Sequence, residues 1–312
     1  MIDSMTGAVQ MGLLYALMAL GVYITFRILD FPDLTVDGSF TTGGAVAAVL
    51  ISHGTSVWLS VIVAFFAGAI AGSITGLLHT KGRINGLLSG ILMMIALYSI
   101  NLRIMGRPNV SILDTDPLFT SIENIWVKLV VIALCVLAIK FLLDAFLRTD
   151  MGLALRATGD NARMIRSFGA NTDTTKILGI SLSNGLVALS GALIAQQTGF
   201  ADSSMGIGMI VIGLASVIIG EAIFGARTVL RATLAAVLGS IVYRIVVALA
   251  LRVEWLDTSD LKLITAIIVI IALLLPTVRR SVKQKSMAKK RAAELASAAP
   301  ISHPGQSAGG AR

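Results

Sequence analysis

Apolar runs of membrane-crossing length recur along almost the whole chain of 312 residues, and polar positions gather between them. A bilayer core of about 30 Å needs about 20 helical residues. On that measure the pattern predicts nine spans, at 6–26, 36–51, 57–78, 84–105, 125–147, 177–198, 208–224, 232–251 and 261–279. The runs are continuous and lack the two-residue alternation of an outer-membrane barrel. The first run is expected to stay as a span, because no basic stretch precedes it and no small-residue cleavage site closes it. The predicted fold class is therefore an all-α integral membrane protein with about nine transmembrane helices.

Composition agrees with the pattern. Hydrophobic residues make up 56% of the chain against 13% charged, where a soluble domain carries roughly 25% charged residues. Mean hydropathy is +0.87. A soluble enzyme is excluded. The single cysteine, Cys135, lies in an apolar run, so neither a disulfide framework nor a cysteine metal cluster is available. The net charge of +8 does not point to nucleic acid, because it collects at membrane flanks. One face of the predicted topology holds 18 of the 25 basic residues and the opposite face three: Arg107, Arg252 and Lys262. The positive-inside rule makes the richer face cytoplasmic, with an external N-terminus and a cytoplasmic C-terminus. Residues 1–280 form the transmembrane domain. Residues 281–312, basic and then rich in Ala, Ser, Pro and Gly, form a disordered cytoplasmic tail.

Two stretches read as versions of one unit. Repeat one covers 6–105, span 125–147 connects, a cytoplasmic segment fills 148–176, and repeat two covers 177–279. Each unit has a long span, a polar break with an aromatic, a short glycine-rich span, and two long spans. The offset of five spans is odd, so the copies run oppositely through the membrane, as in many transporters. The short spans, 36–51 and 208–224, fall at matched positions. At the first, Thr35, Asp37, Ser39, Thr41, Thr42 and Gly43 place hydroxyls and glycine where a lipid-facing helix would carry Leu. These residues are candidates for a translocation pathway, or for a tightly packed interior helix. Gly68, Gly72 and Gly76 make a small-residue stripe that lets helices approach.

Charges inside spans are few. Lys140 and Asp144, four apart, can pair on one helix face near its inner end. Arg244 either faces a cavity or reaches the outer interface. Glu221 can pair with Arg227 or Arg231. The chain shows no metal-binding motif, no phosphate-cradling loop and no matched nucleophile and base. No cofactor and no catalytic residue are expected, and any energy source must be borrowed.

The segment 148–176 predicts two short helices. One runs to Ala157. The other starts after Gly159-Asp160-Asn161, capped by Asp160 or Asn161, and stops at Gly169. Met164, Ile165 and Phe168 form a one-turn apolar stripe beside Arg163 and Arg166, fit for lipid headgroups or a partner's groove.

Here the chain resembles the permease subunits of bacterial ABC importers of the branched-chain amino acid and ribose type. Arg156-Ala157-Thr158-Gly159-Asp160-Asn161 and Gly169-Ala170-Asn171 match their cytoplasmic motif, followed by the small-residue stretch from Gly185 to Gly191. It departs at Ala170, usually Ile, and at Met164 and Ile165, usually small. The stretch from Phe26 to Phe40 looks like the subgroup that imports aromatic amino acids. The resemblance implies a bundle like that of the cobalamin permease, in the bacterial inner membrane. It also implies a second permease copy in a homodimer, a cytoplasmic ABC ATPase, and an external or periplasmic solute-binding protein. It assigns ATPase coupling to Arg156, Gly159, Asn161, Met164, Ile165, Phe168 and Gly169. The acids Asp114, Asp116 and Asp257 are candidates for docking the binding protein. The alternative is a secondary transporter with inverted repeats, which would need intramembrane ion ligands.

Overall fold

A computed structural model describes residues 2–112 and 124–250, with isolated helical positions beyond. Most of span 261–279 and of the tail, together with Asp114, Asp116 and Asp257, lies outside the described residues. Helix α1 (Ile2–Val22) passes into a wider π-helical turn over Tyr23–Ile28. Then come α2 (Thr35–Ser52), α3 (Val57–Thr80) and α4 (Gly86–Met105). Strand β1 (Asn109–Ser111) precedes α5 (Ile125–Phe146) and the polar α6 (Asp150–Ser167). The long α7 (Thr172–Thr198), strand β2 (Phe200–Asp202), α8 (Met209–Phe224) and α9 (Val229–Ala250) complete the described chain.

Short polar residues start these helices. Asn85 Oδ1 accepts from the Leu87 N–H at 2.9 Å, Asn124 Oδ1 from Trp126 at 3.0 Å, and Asn171 Oδ1 from Asp173 and Thr174 at 3.1 and 3.2 Å. Each satisfies donors that a first helical turn leaves unpaired. Gly106 and Gly199 end α4 and α7 in the left-handed conformation that glycine adopts without strain. Beyond these ends β1 and β2 pair antiparallel, with Val110 opposite Ala201.

Helix α7 is the axis of the bundle, packed on α1, α2 and α3. The stripe of Gly68, Gly72 and Gly76 lies on Ala188, Asn184, Ile180 and Ile177 of α7, where a Cβ at any of the three would collide. Gly43 of α2 meets the Ala188 backbone, and Gly191 of α7 meets the Phe40 carbonyl. With no hydrophobic drive between helices in lipid, such backbone approach supplies the packing. Six described helices are long and apolar enough to cross a membrane: Met5–Ile28, Val57–Thr80, Gly86–Met105, Ile125–Phe146, Thr172–Thr198 and Val229–Ala250. Of the nine expected spans, 208–224 is a shorter apolar helix, and 36–51 is not among the six. Its threonines, serine and glycines lower its hydropathy, and its burial between other helices makes that tolerable.

The structure revises one charge reading and adds partners to two others. Glu221 pairs with Arg27 at 3.0 Å rather than with Arg227 or Arg231. Lys140 and Asp144 pair as expected, and the pair is buried. Asp144 also accepts from Thr233 Oγ1 of α9 at 2.7 Å. The Arg244 guanidinium lies 3.8 Å over the Tyr15 ring, which in turn stacks on Phe40.

Candidate functional site: facing helix ends and a polar helix pair

Two acids at the start of α2, Asp33 just before it and Asp37 in its first turn, have different tasks. Asp33 Oδ1 accepts from the Thr35 N–H at 2.9 Å at the start of α2, and its Oδ2 accepts from Asn184 Nδ2 of α7 at 2.6 Å. Asp37, one turn further on, reaches the other short helix. Its Oδ2 accepts from the Gly208 N–H and its Oδ1 from the Ile210 N–H, both at 2.8 Å. The two short helices thus bring their N-terminal ends together around carboxylates, as dipole and unpaired N–H groups favour. Residues 203–208 pack so closely on α2 that a side chain on Gly206 would strike the Asp37 carbonyl.

The six candidate pathway positions of α2 divide. Asp37 and Thr41 line a cavity of about 230 Å³ with Gly38, Met94, Ile95, Tyr98, Asn101, Ser203 and Ile207. Thr35, Ser39, Thr42 and Gly43 point elsewhere. Thr35 Oγ1 bonds Thr75 Oγ1 of α3 at 2.8 Å, Thr42 Oγ1 donates to the Gly38 carbonyl at 2.9 Å, and Gly43 is pressed on α7. Ser39 is fully buried. Asn101 had no part in the sequence reading, although an asparagine inside an apolar run is a signal in its own right.

Helix α6 breaks at Asn161, one of the two capping residues the sequence offers, while its first half runs on past the expected end at Ala157. Asn161 leaves helical geometry at φ −157° and ψ 87°, and its Oδ1 caps the second half by accepting from the Met164 N–H at 3.0 Å. Gly169, at φ +85°, follows the end of that half. Phe168 is 78% exposed and Met164 50%, whereas Ile165 is half-buried. Arg156 is exposed. Gly159 faces inward, and a Cβ there would strike the Ile28 carbonyl, so this glycine lets α6 lie against the π-helical turn. Arg166 Nη2 donates to Thr172 Oγ1 at 2.9 Å and to Asp173 Oδ1 at 3.1 Å, tying α6 to the start of α7.

A bundle of membrane helices with two broken elements meeting in its interior and a polar amphipathic helix at one end is the architecture of a transport permease. The model for the branched-chain amino acid transport system permease component matches residues 4–274, and the chain belongs to that family. It is a transport subunit, not an enzyme. Permeases of this family work with ATPase and substrate-binding partners. The chain is 47% identical over 259 residues to a tyrosine transport system permease protein of Clostridioides difficile (strain R20291), covering 83% of this chain and 86% of the relative. It is 39% identical over 272 residues to an uncharacterized protein of Rickettsia prowazekii (strain Madrid E), covering 85% and 95%. Among solved structures, PsaBC from Streptococcus pneumoniae in complex with Fab aligns with a TM-score of 0.50 at 11% identity, over 85% of this chain and 89% of that one, which is a likeness of fold alone.

Proposed function

We propose that this chain is the membrane-spanning permease subunit of an ATP-driven amino acid importer in a bacterial inner membrane, with its C-terminus cytoplasmic. Its membership of the permease family carries the reading, and the 47% identity to a tyrosine transport permease favours an amino acid as solute. Family membership and the scarcity of intramembrane acids in the sequence weigh against a secondary transporter. Two copies form the pathway as a homodimer. Nine spans in two inverted repeats, in a bundle like the cobalamin permease, complete the proposal. The paired packing of α1 on α9 and of α7 on α3, and of α2 on α3 and α8 on α9, supports this exchange of repeats.

In this reading Asp37 and Thr41 border the solute's route. Thr35, Ser39, Thr42 and Gly43 hold the short helix in place. The ATPase docks on Met164, Phe168 and the accessible part of Ile165, while Arg156, Gly159, Asn161 and Gly169 set the attitude of α6. The binding protein docks on a face carrying Asp114, Asp116 and Asp257, and residues 281–312 form a basic cytoplasmic tail. The test is reconstitution with the partner ATPase and binding protein. ATP-dependent uptake of a labelled amino acid supports the reading. Uptake driven by an ion gradient without ATP contradicts it.

A further inference from the structure

The cavity at Asp37 combines an apolar body with an unusual set of polar groups. Met94, Ile95, Tyr98 and Ile207 supply its apolar surface. Its polar members are a carboxylate, two hydroxyls and a side-chain amide: Asp37, Thr41, Ser203 and Asn101. Among the described residues no lysine or arginine lines it. Asn101 is 0% exposed and its Nδ2 donates to the Gly38 carbonyl at 3.3 Å, which leaves Oδ1 without a hydrogen-bond partner. A buried amide oxygen left unpaired is costly and calls for a donor. The Asp37 carboxylate is already committed to the α8 amides, but its charge still biases the cavity towards cations. Met94 lies near the middle of the 20-residue α4 and Asn101 about 10 Å further along it by helical rise, so the cavity begins near the depth at which broken-helix transporters bind solutes.

We propose that this cavity is a solute-binding station on the import route that grips a primary ammonium group through Asn101 Oδ1 and packs an apolar or aromatic side chain against Tyr98 and Met94, without recognising the carboxylate. The proposal rests on the reading of the chain as an amino acid permease. It adds which end of the solute the permease holds. An ammonium donates to Asn101 Oδ1 and is attracted by Asp37, whereas a carboxylate finds no cation in these walls and stays hydrated towards the open side.

The experiment uses the permease–ATPase complex in lipid nanodiscs, without binding protein, and measures saturable binding of labelled L-tyrosine with tyramine and N-acetyl-L-tyrosine as competitors. Tyramine, which keeps the ammonium and lacks the carboxylate, is expected to compete as well as tyrosine. N-acetyl-L-tyrosine is expected to compete about tenfold or more weakly, the worth of one hydrogen bond to a charged group. Asn101→Leu should abolish the difference between the two competitors. Because Asn101 also holds Gly38, a second variant is needed. Ile95→Trp narrows the cavity from an exposed position, so it should weaken binding while the complex keeps its melting temperature. Equal competition by both analogues, unchanged binding in both variants, or no saturable binding at millimolar tyrosine would each overturn the station. Uptake of labelled tyrosine by the complex with its binding protein is run in parallel. Loss of the station with uptake intact sinks only this inference, whereas failure to import any amino acid sinks the functional reading beneath it.

Discussion

The Asp37 carboxylate accepts a 2.8 Å hydrogen bond from the Gly208 N–H, 171 residues away in the chain. With its second bond to Ile210 N–H, this one side chain fastens the first turn of α2 to the first turn of α8. Replacing a capping oxygen costs about 1 kcal/mol, and each buried N–H left unpaired costs about 1–3 kcal/mol. Asp37→Ala should therefore lower the thermal midpoint in detergent and reduce uptake. Asp37→Asn keeps one acceptor and should lose less. An Asp37→Ala variant with wild-type melting would show that the helix ends do not depend on this link.

The buried ion pair makes a sharper test. Lys140→Met leaves Asp144 charged and unpaired against Thr233, a loss of about 3–5 kcal/mol for a broken buried pair. The double variant Lys140→Met with Asp144→Leu removes both charges and should recover most of that loss. Thermal unfolding of the single and double variants gives the coupling, and additive losses would mean that the pair contributes nothing.

The glycine contacts predict an ordered series. Gly43→Ala and Gly191→Ala force side chains into the backbone of Ala188 and Phe40 and should prevent normal assembly of α2 on α7. Gly7→Ala, with open space around its Cβ, should be neutral or slightly stabilising through helix propensity. Expression and monodispersity of the three variants check the order.

The long apolar runs were legible before any coordinates, because a helix that must cross a bilayer announces itself in length and composition. They gave α1, α3, α4, α5, α7 and α9 within a few residues. Local chemistry was legible too. Asn161 caps the second half of α6 and Gly169 follows its end, since both effects act within one turn. What escaped was set by distant partners. Nothing near Glu221 points to Arg27, 194 residues earlier, and nothing near Asp37 points to the amides of α8. The pairing of Asn109–Ser111 with Phe200–Asp202 is of the same kind. The pathway stretch was half legible: its hydroxyls marked a non-lipid face, but whether each met a cavity or a neighbouring helix depended on α3, α4 and α7.

The exposed end of α6 predicts where the ATPase is lost first. Truncating a well-packed anchor costs about 2 kcal/mol or more only at a hot spot, and Phe168, a 78% exposed apolar side chain just past the end of α6, is the candidate. Phe168→Ala should reduce co-purification of the ATPase while the permease still inserts. Arg166→Ala should also weaken coupling, by releasing Thr172 and Asp173 rather than by removing a contact with the partner. Full association for both variants would place the coupling surface elsewhere.

Uptake into proteoliposomes holding this chain, its ATPase and its binding protein tests the central claim most directly. The account predicts accumulation of a labelled amino acid that requires ATP and all three components, and that ceases when Met164, Ile165 and Phe168 are all changed to alanine. Accumulation by the permease alone, or by the triple variant at the full rate, would contradict it.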